Sequence, residues 1–204
     1  MIDTTFIEDL ASSAPTPGGG GASAYCGALA SSLASMVGNL TVGKKKYVNV
    51  EHEINDVLNE LSKKREILVD LIDEDARAFA PLAQTYRMPS STPDEQRKKQ
   101  EAQQKALIDA IEVPLLIMKT CMDVLDMTEV MAKKGSRLAV SDAGVAAVFA
   151  RAAIEGASLN VFINVASLED SHQADGYVYS AKTLIAQAQQ KAQALFEYVC
   201  DEIG

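Results

Sequence analysis

A run of four glycines is the first segment that could do chemistry. Pro15-Thr16-Pro17 precedes Gly18, Gly19, Gly20 and Gly21. The run lacks the lysine and Ser/Thr of a phosphate loop, and no predicted strand precedes it, so neither nucleotide-binding motif fits. Amides without side chains that lead into a helix can lie against a flat ligand or hold an anion. A tight turn between two helices is the alternative, but four consecutive glycines cost more chain entropy than a turn requires. We therefore favour a ligand-binding loop, placed before a helix that begins near residue 22.

A carboxylate on an apolar helix face is the second candidate. Asp75 shares its face with Leu68, Ile72 and Phe79 by their three- and four-residue spacing. An unpaired charge on such a face is costly to bury, so it is seldom there for stability. A structural salt bridge with Arg65 or Arg77 is the alternative, and the spacing alone does not separate the two.

Basic residues form a third cluster in a chain of formal net charge -9. Lys44, Lys45 and Lys46 precede Tyr47, which offers a ring and a hydroxyl. One lysine can reach into a site as a proton donor or as the partner of a carboxylate. A solvated helix end is the simpler interpretation, because cations suit a helix C-terminus.

Further polar residues stand at helix positions where either capping or binding explains them. Asp142 follows Ser141 at a predicted helix start, where N-terminal capping is the simpler explanation. Asn160 and Asn164 are four residues apart within an apolar stretch, and a buried amide needs a partner. That partner is either another helix or a polar heterocycle. The two histidines and three cysteines show no metal-ligand spacing, so we predict no metal site.

Helices are the elements that must position these residues. Apolar residues recur at helical spacing, and no long run alternates at period two. The predicted helices span 2–12, 22–41, 50–87, 92–132, 141–168 and 177–203. We predict one all-α domain over residues 1–204, a bundle of long antiparallel helices with some kinked at proline. Helices this long suggest an elongated protomer whose flanks are best buried in a homodimer.

Composition narrows the classes of function. The chain has 204 residues, of which 48% are hydrophobic, and its pI is near 4.7. An acidic molecule repels phosphate backbones, so nucleic acid is not an expected partner. The N-terminus lacks the features of a secretory signal, and the most apolar segment is interrupted by charged and amide residues. With an odd number of dispersed cysteines, these features favour a cytoplasmic protein with no membrane partner.

Five segments taken together resemble the formiminotransferase-cyclodeaminase C-terminal family, which includes stand-alone methenyltetrahydrofolate cyclohydrolases. They are Pro15–Gly21 with Ala28-Leu29-Ala30, Leu40–Lys44 with Tyr47, Asp75-Ala76 with Ala78-Phe79, Ser141–Ala147, and Glu155-Gly156-Ala157 with Asn160-Val161 and Ile163-Asn164. Gly21 and the segment Gly135–Leu138 depart from the usual family pattern.

The resemblance implies an all-helical, dimeric folate enzyme that needs no tightly bound cofactor beyond its tetrahydrofolate substrate. It implies Lys44, Asp75 and Asp142 as catalytic residues, with Asp75 or Asp142 as the carboxylate and Lys44 as the acid. The substrate-binding residues it implies are Pro17, Gly18, Gly19, Gly20, Tyr47, Asn160 and Asn164. Because no formiminotransferase domain is attached, hydrolysis of 5,10-methenyltetrahydrofolate is favoured. Cyclodeamination of formiminotetrahydrofolate and a non-catalytic folate-binding or scaffold dimer are the alternatives.

Overall fold

The computed structural model describes residues 4–204, which contain six α-helices and no strand. The helices are α1 (Thr5–Leu10), α2 (Gly19–Asn39), α3 (Glu51–Tyr86), α4 (Pro93–Lys134), α5 (Val140–Val165) and α6 (Ser171–Ile203). Short 3-10 turns, Lys45–Tyr47 and Arg137–Ala139, precede α3 and α5. The predicted all-α class is confirmed.

Two predicted helix starts were wrong. Helix α2 begins at Gly19 instead of residue 22, so three of the four glycines form its first turn. Helix α6 begins at Ser171, where the Asp170 side chain accepts a hydrogen bond from the N–H of Gln173. That cap extends the helix through a polar stretch that composition alone predicts to be a loop.

The start of α4 follows the sequence signal closely. The N–H of Glu95 donates to Thr92 Oγ1, and the N–H of Thr92 donates to Glu95 Oε2, which completes a capping box with Pro93 in the first turn. Pro81 and Pro114 lie inside α3 and α4, which continue past them.

Helix α2 packs against α3, α4 and α5. All of its buried residues except Val37 are Gly, Ala or Ser. A Cβ on Gly27 would lie 2.4 Å from Cys121 Sγ, and one on Gly38 would lie 2.8 Å from Leu58 Cδ2. These small residues let three neighbouring helices approach the backbone of α2 closely.

Helices α2 and α5 run antiparallel. Near the start of α2, a Cβ on Gly156 of α5 would lie 2.7 Å from Ser23 Oγ. One turn further along α2, Cys26 Sγ donates to the carbonyl of Phe149. The N-terminus of α2 therefore lies beside the C-terminal half of α5.

One helical segment of the described chain, Arg137–Val165, is long and apolar enough to span a membrane by length and composition. It contains α5, which packs against α2, α4 and α6. A single such helix is weak evidence, because the core helix of a water-soluble protein has the same composition.

Candidate functional site

The glycine run and Asp75 meet at the N-terminus of α2. Gly18 is the N-cap residue with extended backbone, and Gly19 to Gly21 follow in the first turn. The first N–H groups of a helix have no carbonyl partner within it. The N–H of Gly21 donates to Asp75 Oδ2 at 3.0 Å, so the carboxylate of α3 satisfies one of these groups.

Glycine at position 20 is what allows this approach. A Cβ on Gly20 would lie 2.0 Å from Asp75 Oδ1 and 2.4 Å from its Cγ. The carboxylate therefore occupies the space that any other residue at position 20 would fill. Partial burial raises the pKa of Asp75 above its ordinary value, and the hydrogen bond from Gly21 opposes that shift.

No salt bridge explains Asp75. Arg77 pairs with Glu74 at 2.7 Å. Arg65 donates to the hydroxyls of Ser35 and Ser62. The structural salt bridge considered for Asp75 is therefore wrong, and the carboxylate has no cationic partner among residues 4–204 to offset its burial.

Asn160 and Asn164 of α5 face this site from the opposite side. A Cβ on Gly19 would lie 3.3 Å from Asn160 Nδ2, which donates to the carbonyl of Gly156. Asn164 Nδ2 donates to the carbonyl of Ala110 on α4 at 2.7 Å. Each amide uses its nitrogen within the protein, and no described residue donates to either side-chain oxygen. Two acceptor oxygens therefore remain for a ligand.

These side chains surround a cavity of about 120 Å³. Its wall contains Gly18, Gly19, Asp75, Asn160 and Asn164 from the predicted set, and also Pro15, Thr16, Phe79, Ala110 and Pro114. Ala110 and Pro114 carry no reactive group, so no sequence signal pointed to them as wall residues. Pro17 and Gly20 are not part of this wall. A Cβ on Gly21 would lie 3.8 Å from Pro17 Cβ. Because binding pockets for small molecules usually enclose about 300–1,000 Å³, this cavity is small for a complete site.

The other predicted residues lie at the opposite end of α2 and α5. Lys44 is exposed, and its Nζ donates to Ser136 Oγ at 3.4 Å. The hydroxyl of Tyr47 accepts a hydrogen bond from the N–H of Arg137, which lowers the pKa of Tyr47. Asp142 lies in the first turn of α5, whose N-cap is Ala139 with no side-chain bond. Capping therefore does not explain Asp142.

Within one chain, the two groups of candidate residues lie far apart. At 1.5 Å per residue, the stretch of α5 from Asp142 to Asn160 is about 27 Å long. Lys44 and Tyr47 contact the turn just before α5, whereas Asp75 and Asn160 lie near its far end. The burial that an acid–base lysine needs is absent around Lys44 in the single chain.

A larger groove lies elsewhere and contains none of the candidates. It encloses about 710 Å³ between α4 and α6. Its charged residues pair with one another, since Lys191 contacts Asp126 and Glu129, and Lys133 also contacts Glu129. Within residues 4–204, no three His, Cys, Asp or Glu side chains are grouped to hold a metal ion.

Known proteins that resemble this chain were then compared with it. Residues 3–183 match the family model described as formiminotransferase-cyclodeaminase. A methenyltetrahydrofolate cyclohydrolase of Methylorubrum extorquens is 40% identical over 98% of this chain and 96% of its own length. The formimidoyltransferase-cyclodeaminase of Mus musculus is 30% identical over 91% of this chain, which spans 36% of that protein.

A solved structure has the same fold. The formiminotetrahydrofolate cyclodeaminase of Thermotoga maritima superposes with a TM-score of 0.88 at 27% identity, covering 100% of this chain and 98% of that one. With the family match and the near full-length relative, this establishes that the chain belongs to the formiminotransferase-cyclodeaminase family.

Proposed function

We propose that the protein hydrolyses 5,10-methenyltetrahydrofolate to 10-formyltetrahydrofolate. The observation that carries the proposal is the half-buried carboxylate of Asp75, which has no cationic partner among the described residues and faces a cavity beside a helix N-terminus. The 40% identity to a methenyltetrahydrofolate cyclohydrolase over nearly both full lengths favours this reaction over deamination.

Asp75 suits the first step. The methenyl carbon joins N5 and N10 in a cationic amidinium group, which a nearby carboxylate stabilises. Water attacks this carbon while Asp75 accepts a proton from it, and a raised pKa makes the carboxylate a better base. The hydrogen bond from Gly21 holds Oδ2, and no described residue donates to Oδ1.

The second step needs an acid. The tetrahedral intermediate collapses when the bond between the carbon and N5 breaks. N5 takes a proton from the acid, and the hydroxyl gives its own proton to solvent water as it becomes the formyl group. We assign Lys44 as the acid at N5, with Asp142 and Tyr47 beside it. Gly18 and Gly19 of the cavity wall contact the pterin or aminobenzoate, with Pro17 and Gly20 supporting that wall. Asn160 and Asn164 accept hydrogen bonds from the N–H groups of the pterin.

A homodimer would join the two groups of residues. Helices α2 and α5 expose an apolar stripe between them, including Met36, Val148, Leu159 and Ile163, of which Leu159 is 68% and Ile163 71% exposed. A two-fold axis through the middle of this stripe places the Lys44 end of one copy against the Asp75 end of the other. The partner's surface would also enlarge a cavity that is too small alone.

The remaining expectations are part of the same proposal. One hydrophobic core spans α2 to α6, which supports a single domain over the described chain. We propose a cytoplasmic enzyme with no tightly bound cofactor, no nucleic-acid partner and no membrane partner.

The test is direct. Purified protein is mixed with methenyltetrahydrofolate, and the loss of its near-ultraviolet band is followed against buffer. Faster loss supports hydrolysis, and Asp75→Asn is the matched inactive control. Binding without turnover would instead indicate a folate-binding module. Ammonia release from formiminotetrahydrofolate would indicate cyclodeaminase activity, the activity for which the Thermotoga maritima protein is named.

A mixing experiment tests the shared site. Lys44→Met and Asp75→Asn are each expected to be inactive as homodimers. After the two variants exchange subunits, half of the dimers carry one intact site, so about a quarter of wild-type activity should return. No recovery, with subunit exchange verified, would show that both residues do not act at one interface site.

A further inference from the structure

A proline inside α4 leaves one backbone carbonyl without its helical hydrogen bond, and a side chain of the candidate site donates to that carbonyl instead. Pro114 has no N–H, so the carbonyl of Ala110 cannot receive the helical hydrogen bond from residue 114. Asn164 Nδ2 donates to this carbonyl at 2.7 Å. The asparagine of α5 therefore replaces the bond that the proline removes from α4.

This contact fixes which end of the Asn164 amide is offered to a ligand. A carbonyl only accepts hydrogen bonds, so a flipped amide would place two oxygens against each other. With Nδ2 held on Ala110, the acceptor Oδ1 is left without a donor among residues 4–204. Pro114 and Asn164 both line the cavity beside Asp75.

We propose that Pro114 is a positioning residue that holds Asn164 with its oxygen available to the substrate. The site then selects a ligand that presents an N–H group to Asn164 and disfavours one that presents an acceptor. The identity of that ligand as a reduced pteridine rests on the proposed function, whereas the arrangement of the amide does not.

The proline of α3 provides a natural contrast. Pro81 also lies inside a helix and also frees the carbonyl four residues earlier, on Arg77. No described side chain donates to that carbonyl, and Pro81 is exposed. Pro81→Ala is therefore a matched control, since it restores the same kind of backbone bond without affecting a site amide.

The first measurement needs no folate. Hydrogen exchange of the Asn164 side-chain amide is followed by NMR in the intact protein, with the signal assigned from its loss in Asn164→Ala. In Pro114→Ala the new N–H of residue 114 competes for the Ala110 carbonyl, so exchange at Asn164 should become at least several-fold faster. Pro81→Ala should leave it unchanged. Equal exchange in Pro114→Ala and wild type would overturn the proposal.

The second measurement is a double-mutant cycle on substrate affinity. Asn164→Ala should raise KM about tenfold, the value of one hydrogen bond, with a smaller effect on kcat. Pro114→Ala should raise KM in the same direction, and the double variant should be no worse than Asn164→Ala alone. Additive effects would show that Pro114 acts only as a wall of the cavity.

A further variant, Asn164→Asp, tests the proposal if Pro114→Ala folds poorly. Asn164→Asp keeps an acceptor but loses the donor to Ala110, so its KM should rise as in Asn164→Ala. A wild-type KM in Asn164→Asp would overturn the proposal. If wild-type protein neither binds nor turns over folate, the proposed function fails, while the exchange measurement still decides the role of Pro114.

Discussion

Replacing Gly20 with alanine tests the position of Asp75 with one added methyl group. The new Cβ would lie 2.0 Å from Oδ1, 2.4 Å from Cγ and 2.5 Å from Oδ2 of Asp75. Carbon–oxygen contacts rarely fall below about 3.0 Å, so the carboxylate has to move by about 1 Å or more. The hydrogen bond that Gly21 donates to Oδ2 at 3.0 Å is then lost or weakened.

A displacement of this size predicts a large kinetic effect. Misplacing a catalytic group by about 1 Å can reduce the rate about 100-fold, which corresponds to about 2.7 kcal/mol of transition-state stabilisation. The collision should also lower the free energy of unfolding by about 1–3 kcal/mol. The preference for alanine over glycine in a helix, about 1 kcal/mol, offsets part of this loss, and kcat/KM is therefore compared on folded enzyme.

The assay is the hydrolysis of methenyltetrahydrofolate, with Gly20→Ala compared with Gly176→Ala. Gly176 lies inside α6 outside the site, and a Cβ there meets nothing within 4 Å. The control therefore has the same gain in helix propensity without the collision. Gly20→Ala in an Asp75→Asn background should add no further loss. A folded Gly20→Ala enzyme with wild-type kcat/KM would refute the assignment of Asp75.

Further predictions concern pH, the interface and the core. Burial raises the pKa of Asp75 in the folded state, so the folded protein holds this proton more tightly than the unfolded chain does. The contribution of Asp75 to the free energy of unfolding is therefore present at low pH and is lost as the pH rises through the raised pKa. Asp75→Asn should therefore raise Tm in thermal melts at pH 7 but not near pH 4. The kcat/KM of the wild type should decrease as the pH is lowered, with a midpoint above 3.8, the ordinary pKa of an aspartate. Leu159→Asp should convert the proposed dimer to monomer in sedimentation and abolish activity, whereas Asp in place of the exposed Tyr179 of α6 should do neither. Gly27→Ala should lower the free energy of unfolding by about 1–3 kcal/mol in urea titrations, since its Cβ would collide with buried Cys121; an unchanged midpoint would contradict the close packing of α2.

The helices were predictable because their apolar period is long and regular. Leu68, Ile72 and Phe79 share one face of α3 by their spacing, and all three pack in the core, Leu68 buried and the other two partly buried. The start of α2 was not predictable, because glycine has a low helix propensity in isolation. In the folded protein, a carboxylate from another helix binds the first-turn amides and stabilises that turn.

The site was predictable in its residue types and not in its distances. Asp75, Asn160 and the glycines belong together, but spacing along the chain does not show which ends of α2 and α5 meet. Their antiparallel packing places Lys44 far from Asp75. The sequence predicted helices kinked at proline, whereas the structure reveals the carbonyl that Pro114 leaves for Asn164.

The apolar stripe of α2 and α5 has a consequence for how the protein is made. In the proposed homodimer, side chains such as Met36, Leu159 and Ile163 remain in contact with water until two chains meet. Pairing is a second-order process, so newly synthesised chains wait longest when they are scarce, and self-association in other arrangements competes with it. Refolding yield should therefore pass through a maximum with protein concentration, between dilution that delays pairing and crowding that favours aggregates.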